Sequence, residues 1–311
     1  MTTPEQADLA AMIDALAAGS QPSDERPAEV AALRTRLADQ GVWTLGVPEA
    51  LGGGGADDAL TATAFARLGR RWAALGWASV QAHAAAELLG DHPLRAMVHN
   101  GQIAVGVTGG LRVDAAGEEP YVIVLGGDTA RLHEPDALRY QAVRHTGLDG
   151  ALTRMVEFVG EGTELRGDVD RAVVRLRLGA AAVAAGIADA AAEAALGYSL
   201  TRQQFGGPLT ALPTVRDALF GASGTAAVLD RVLSGAASPW QAAAVLDLAC
   251  EAAIDVTARA VQAHGGYGYL AEYPVQGLLC DAVSLRAAVD SVSARRDGAL
   301  ELVRVRATKI E

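Results

Sequence analysis

VQAHGGYGYLAEYPVQGLLCDAVSLRAAVDSV, residues 261–292, joins a helix-ending diglycine to a run of aromatics and a lone acidic residue. Glycine at 265 predicts the C-cap of the preceding helix, and the segment reads as the rim of a binding site. Upstream, Ser238-Pro239 opens that helix, because proline suits a first helical turn, and Leu246, Ile254 and Val261 carry its apolar face. Downstream, at least one more helix is expected from about Tyr273 to Val305, with a possible break.

Further towards the N-terminus, residues 172–203 predict one long Ala-rich helix with Tyr198 near its end, and QQFGGPLTALP (203–213) breaks it. Thr210 is placed to cap the next helix, whose Leu212, Val215 and Leu219 share a face. Amphipathic helices in this order predict a four-helix bundle over residues 171–311. Residues 102–170 have a different texture. QIAVGVTGG, YVIVLGGDTARLHE, LRYQAVRH and TRMVEFVG are short β-branched runs broken by Gly, Asp and Pro, which read as strands of a small antiparallel unit. Residues 1–101 are helical again: Leu9, Met12, Ile13 and Leu16, then Val30, Leu33 and Leu37, recur at helix spacing. Between those helices Gly52 to Gly55 form a loop, and Asp57 or Asp58 is placed to cap a helix carrying Leu60, Phe65 and Leu68. The four glycines are not read as a phosphate loop, since no strand precedes them and no Lys-Ser/Thr follows.

Composition narrows the function. Lys and Arg number 26 against 37 Asp and Glu, a net charge of −11, which argues against a general nucleic-acid or anionic-membrane binder. Half the residues are hydrophobic but only 5% aromatic, a mix of Ala, Leu and Val that favours helix. Cys250 and Cys280 form neither a disulfide framework nor a metal-site spacing. The first residues lack a basic n-region, and the most apolar stretch, Leu178 to Ala188, is short of a span and flanked by Arg177 and Asp189. A soluble, cytoplasmic protein that meets small molecules or other proteins is expected.

Two segments together carry a resemblance. YSLTRQQFGGPL (198–209) and QAHGGYGYLAEYPVQGLLCDA (262–282) resemble, in order and spacing, the C-terminal helical domain of the acyl-CoA dehydrogenase family. These flavoenzymes introduce a double bond between the α and β carbons of a CoA thioester. GVPEALGGGGADDAL with ARLGR (46–60 and 66–70) is similar to the family's first-domain pattern. The resemblance implies a mainly α fold: an N-terminal helical domain, a middle β domain and a C-terminal helical bundle. It also implies an oligomer that binds FAD, because the matching positions in the family contact FAD, typically that of a neighbouring subunit. Arg202 offers a planar donor fork for a pyrophosphate, and Phe205 an apolar face for adenine. Gln262 presents an amide at its helix end, and Gly266 lets a ligand approach the backbone.

The resemblance fails where the chemistry is done. The reaction removes a proton α to the thioester while hydride leaves the β carbon, so a carboxylate base must stand in a water-poor pocket. The family's usual base position, counted from Cys280-Asp281-Ala282, falls on Val289, and the alternative position on the long helix falls on Leu176, beside Arg177. Neither takes a proton, so no catalytic residue is assigned. Asp290 is a weak substitute, since one helical step turns a side chain by about 100° and its reach is a methylene shorter than glutamate's. Glu161 to Thr163 read EGT, but before the long helix, as a loop coincidence. The β segment is also shorter than the family's barrel and lacks its flavin-holding stretches.

The expectation is therefore one subunit of a heteromeric acyl-CoA dehydrogenase, an α2β2 heterotetramer acting on a steroid-derived or otherwise bulky acyl-CoA. A longer partner subunit would carry the catalytic Glu and share its FAD. Two alternatives stand beside it: a non-catalytic scaffold or regulatory protein of the same fold, and a self-sufficient homo-oligomeric flavoenzyme using Asp290.

Overall fold

The computed structural model describes residues 3–18, 25–232 and 237–307. Five helices come first: α1 (Pro4–Leu16), α2 (Pro27–Asp39), α3 (Asp58–Arg71), α4 (Ala73–Leu89) and α5 (Leu94–His99). Of the two aspartates that could cap α3, Asp57 does so, its Oδ1 accepting the Leu60 N–H at 2.7 Å. All residues of α4 are buried, as expected for a helix that is apolar on every side. Several of its polar groups are satisfied internally, although Trp77 Nε1 and Glu87 Oε2 are buried without a hydrogen-bond partner. Gln81 donates to the Asp114 carbonyl at 2.7 Å and accepts the Val107 N–H at 2.9 Å, and Glu87 accepts from Arg175 Nε at 3.0 Å.

The β unit comprises β1 (Val105–Thr108), β2 (Arg112–Val113), β3 (Tyr121–Gly126), β4 (Thr129–His133), β5 (Leu138–Ala142), β6 (Arg154–Phe158) and β7 (Thr163–Leu165). They form two small sheets, ordered β1-β3-β4-β7 and β2-β6-β5. The unit is not wholly antiparallel, because β1 pairs with β3 in parallel, Val105 opposite Tyr121. The stretch between them, which includes β2, crosses to the second sheet and returns. Val113, Ala115, Val122, Leu138 and Val156 fill the space between the sheets.

The bundle consists of α6 (Val169–Thr201), α7 (Pro213–Val232), α8 (Pro239–His264), α9 (Val275–Ala288) and α10 (Ser291–Ala307). Asp168 caps α6, accepting the Arg171 N–H at 2.9 Å, so the helix opens at Val169, three residues before the expected 172. Thr210 does not cap α7. It lies in a 3-10 turn, Leu209–Ala211, and the helix opens instead on Pro213, whose fixed φ suits a first turn. By length and composition α6 is apolar enough to cross a membrane, contrary to the reading of its centre as too short, but 78% of that window is buried inside the protein. The burial is against α3, α4 and α8. Close approach of α3 and α6 rests on two glycines: a Cβ on Gly186 would lie 2.0 Å from the Ala66 carbonyl oxygen, and one on Gly69 would lie 2.4 Å from that of Val183.

Candidate functional site

The end of α6 and the end of α8 meet at the surface. Arg202 is the C-cap of α6, with extended backbone, and a hairpin of β8 (Gln203–Gln204) and β9 (Gly207–Pro208) follows. Its turn residues, Phe205 and Gly206, have φ of 53° and 84°, the left-handed pair that a two-residue hairpin requires. Glycine takes this conformation freely, whereas a bulky residue is strained in it. Phe205 is nevertheless there, and 86% exposed, so its ring is not core. Strain of this kind gathers at ligand clamps.

Across from the hairpin, α8 stops at Gly265, whose φ of 58° lets its N–H return to the Gln262 carbonyl. A 3-10 turn, Gly265–Tyr269, follows. It is drawn tight against α8: a Cβ on Gly268 would lie 2.7 Å from the Val261 carbonyl oxygen. At Gly266 a Cβ would meet no protein atom, so nothing in this chain demands glycine there. Both Gln262 and Gly266 face solvent.

Beneath the turn lies a knot of rings. Tyr198 of α6 stacks on His264 of α8, centroids 4.3 Å apart, and Tyr273 meets both edge-on, at 5.6 and 5.4 Å. His264 Nδ1 lies 2.8 Å from the Ala260 carbonyl, so that nitrogen carries the proton, and burial lowers the imidazole's pKa. Tyr267 leans on Tyr273 at 6.0 Å. Over the Tyr267 ring, 5.1 Å from its centroid, sits the Arg202 guanidinium. The sequence points to Arg202 and the diglycine, but not to Tyr267 as their link. Its signal is the aromatic spacing in HGGYGYLAEY, which becomes informative only once the two helix ends are adjacent.

This ledge offers a cationic fork, an exposed ring, an amide and an open backbone. Such a set suits a ligand with a diphosphate and a planar base.

The positions at which the resemblance implies a base are elsewhere and apolar. Leu176 and Val289 are half-buried and pack against the bundle core. Arg177, beside Leu176, is paired with Asp297 of α10 at 2.9 Å. Asp290 is exposed in the break between α9 and α10, at φ 43°, and its Oδ1 accepts the Ser293 N–H at 3.3 Å. The carboxylate of Asp290 thus serves as a helix cap facing water. Glu161 lies between β6 and β7, 94% exposed on its side chain, with its carboxylate 3.9 Å from Arg131 Nη1.

Between α2, α4 and α9 the loop 146–151 plugs the interior with Leu148, Gly150 and Ala151. Asp281 Oδ1 accepts the Leu148 N–H at 2.6 Å, Ser284 Oγ donates to the Thr146 carbonyl, and Leu148 and Ala151 are wholly buried. On the opposite side of this plug the carboxylate of Glu25 takes the N–H groups of Ala74 and Leu75, at 2.7 and 2.8 Å. Burial, then the charge of Asp281, pushes its pKa up to about 8, against those two hydrogen bonds. A separate cleft of about 280 Å³ between α3 and the start of α6 is lined by Asp58, Phe65, Arg171, Arg175 and Leu178, among others. Both its arginines lie on Glu87, at 3.5 and 2.9 Å.

Residues 169–288 match the family described as acyl-CoA dehydrogenase, C-terminal domain. An acyl-CoA dehydrogenase of Bacillus subtilis (strain 168) is 37% identical over 114 residues, 34% of this chain and 30% of that protein. A short-chain-specific acyl-CoA dehydrogenase of Megasphaera elsdenii is 38% identical over 114 residues, with the same shares. The matched segment thus spans about 30% of the length of these curated relatives. Solved structures extend the likeness to the whole chain. The ChsE4–ChsE5 complex of Mycobacterium tuberculosis gives a TM-score of 0.78 at 20% identity, covering 97% of this chain and 98% of that one. Butyryl-CoA dehydrogenase from Megasphaera elsdenii gives 0.74 at 19%, covering 96% and 98%. At such identity the likeness is one of fold.

Proposed function

We propose that this chain, whose residues 169–288 belong to the acyl-CoA dehydrogenase C-terminal domain family within a whole-chain acyl-CoA dehydrogenase fold, is one subunit of a heteromeric FAD-dependent acyl-CoA dehydrogenase. One observation carries the reading. The ledge of Arg202, Phe205, Gln262 and Gly266 opens outward, while the base positions Leu176 and Val289 pack into apolar core.

A flavin dinucleotide held by a longer partner would extend its tail onto this ledge. Arg202 would pair with the pyrophosphate, Phe205 would lie against the adenine, and Gln262 would offer its amide. Gly266 would admit the ligand close to the backbone. Bound FAD supplies the acceptor for hydride from the substrate β carbon. The partner supplies the carboxylate that takes the α proton, since this chain's own candidates are leucine, valine and a helix cap. A likeness to a complex of two differently named chains supports the two-subunit arrangement. An α2β2 heterotetramer in the cytoplasm, acting on a steroid-derived or otherwise bulky CoA thioester, is the form proposed.

Co-expression with an adjacent dehydrogenase-like gene, followed by visible absorption and flavin counting, tests this. One FAD per two unlike chains is expected. A chain that purifies alone, yellow and active on acyl-CoA, removes the proposal. The apolar packing of Leu176 and Val289 equally suits a non-catalytic scaffold, and in that case Arg202→Ala would leave the flavin content and activity of the complex unchanged.

A further inference from the structure

We infer that Tyr267 is a positioning residue for Arg202, holding the guanidinium in the place and orientation from which it meets a diphosphate; the inference rests on the proposed FAD-tail role of the ledge. Arginine carries several rotatable bonds, and one that is only half-buried, as Arg202 is, is spread over several conformers unless something holds it. Among the described residues no carboxylate lies within ion-pair distance of Arg202, and its recorded side-chain partner is the Tyr267 ring, 5.1 Å from guanidinium carbon to centroid. An aromatic face attracts a cation without consuming its N–H donors. The planar fork therefore remains free along its edges for phosphate oxygens, which an acidic partner would have competed for.

The platform is itself fixed. Tyr267 sits between Gly266 and Gly268 on a turn pinned to the end of α8. Its ring leans on Tyr273, which abuts the Tyr198–His264 stack. That stack joins α6, which delivers Arg202, to α8, which delivers Tyr267. The His264 ring is anchored to the Ala260 carbonyl and its pKa is lowered by burial, so the ring in the stack does not itself add a second cation beside the tyrosine faces. Tyr267 thus converts the packing of two helix ends into a defined position for one charge. The phenol hydroxyl is not needed for this; the face of the ring is.

The test uses the co-purified heteromer and reads FAD affinity, by recovery of flavin fluorescence on dilution, across a range of salt. Arg202→Ala is expected to weaken FAD and to flatten the salt dependence, since a charge is lost. Tyr267→Leu is expected to weaken FAD about threefold to tenfold, in line with a partly exposed cation–π contact, while leaving the salt dependence as steep as in the parent. Tyr267→Phe should restore affinity to within about twofold by keeping the face. In the Arg202→Ala background, Tyr267→Leu should cost nothing further, the signature of coupled residues. If Tyr267→Leu weakens FAD as much without Arg202 as with it, or if Tyr267→Phe fails like leucine, the positioning role is overturned. If Arg202→Ala itself changes nothing, the FAD-tail reading falls first, so the two failures are told apart.

Discussion

Asp281 Oδ1 accepts the Leu148 backbone N–H at 2.6 Å, a bond that spans 133 residues of sequence and fastens α9 to the plug at 146–151. Leu148 is wholly buried and has a φ of 50°, a conformation that few non-glycine residues adopt without support. Asp281 belongs to the Cys280-Asp281-Ala282 triplet that ends the second motif, so part of that motif is used here to hold the chain's own interior. Asp281→Ala leaves the Leu148 N–H buried without its acceptor and should cost about 1–3 kcal/mol. Asp281→Asn keeps an oxygen in place and should cost less. Urea unfolding of the two variants beside the parent gives the comparison, and equal losses would show that the charge, rather than the acceptor, matters.

Glu25 sets a stability dependence on pH. Its pKa stands at about 8 in the folded chain against an ordinary 4.5. The folded state therefore keeps a proton that the unfolded chain has shed. The resulting stabilisation is full below 4.5 and is lost as pH rises towards 8. His83 acts in the opposite sense at lower pH: burial holds its pKa at about 3 against 6.5, so stability is lost as pH falls below 6.5. The window from 6.5 to 8 belongs to Glu25 alone of these two. The denaturation midpoint is expected to fall across that window, and Glu25→Gln should flatten the decline, whatever it does to stability at pH 6.

Gly186 marks the tightest approach of α3 to α6, with the Ala66 carbonyl oxygen 2.0 Å from where a Cβ would stand. The obstacle is helix backbone, which cannot swing aside as a side chain can. Gly186→Ala should lower stability by about 1–3 kcal/mol or more, as overpacking does, despite alanine's better helix propensity. Thermal unfolding measures it. Gly197, on the same helix with open space at its Cβ, is the control: Gly197→Ala should be neutral or stabilising.

Much of this fold is legible in the sequence because it is written locally. Helix periodicity, Asp57 as a cap, Pro239 at a first turn and Gly265 as a stop depend on a few neighbouring residues, and the helices appear there. What the sequence hides is long-range. The parallel pairing of β1 with β3 follows from a crossover through the second sheet, which short β-branched runs do not encode. Glu25 and Asp281 look like ordinary acids until folding buries them. At the ledge, Arg202 and Gly266 carry recognisable motif positions, whereas the Arg202–Tyr267 contact requires α6 and α8 to end side by side. Residue type marks the candidate residues of the ledge, and packing makes the link between them.

Asp290 separates a structural acid from a chemical one. It occupies the left-handed break between α9 and α10 and accepts the Ser293 N–H at 3.3 Å. As a cap, it should be replaceable by glycine, which adopts positive φ freely and is a fair N-cap residue, whereas alanine loses the acceptor and strains the turn. Asp290→Gly is therefore expected to lie within a few tenths of a kcal/mol of the parent, and Asp290→Ala to lose about 0.5–2 kcal/mol. A proton-abstracting base makes a different demand, since glycine and alanine remove it equally. Turnover of the proposed heteromer should be unchanged by both substitutions. A rate that collapses equally in both, with stability intact for glycine, would instead place the reaction's proton on this chain and return it to the self-sufficient enzymes.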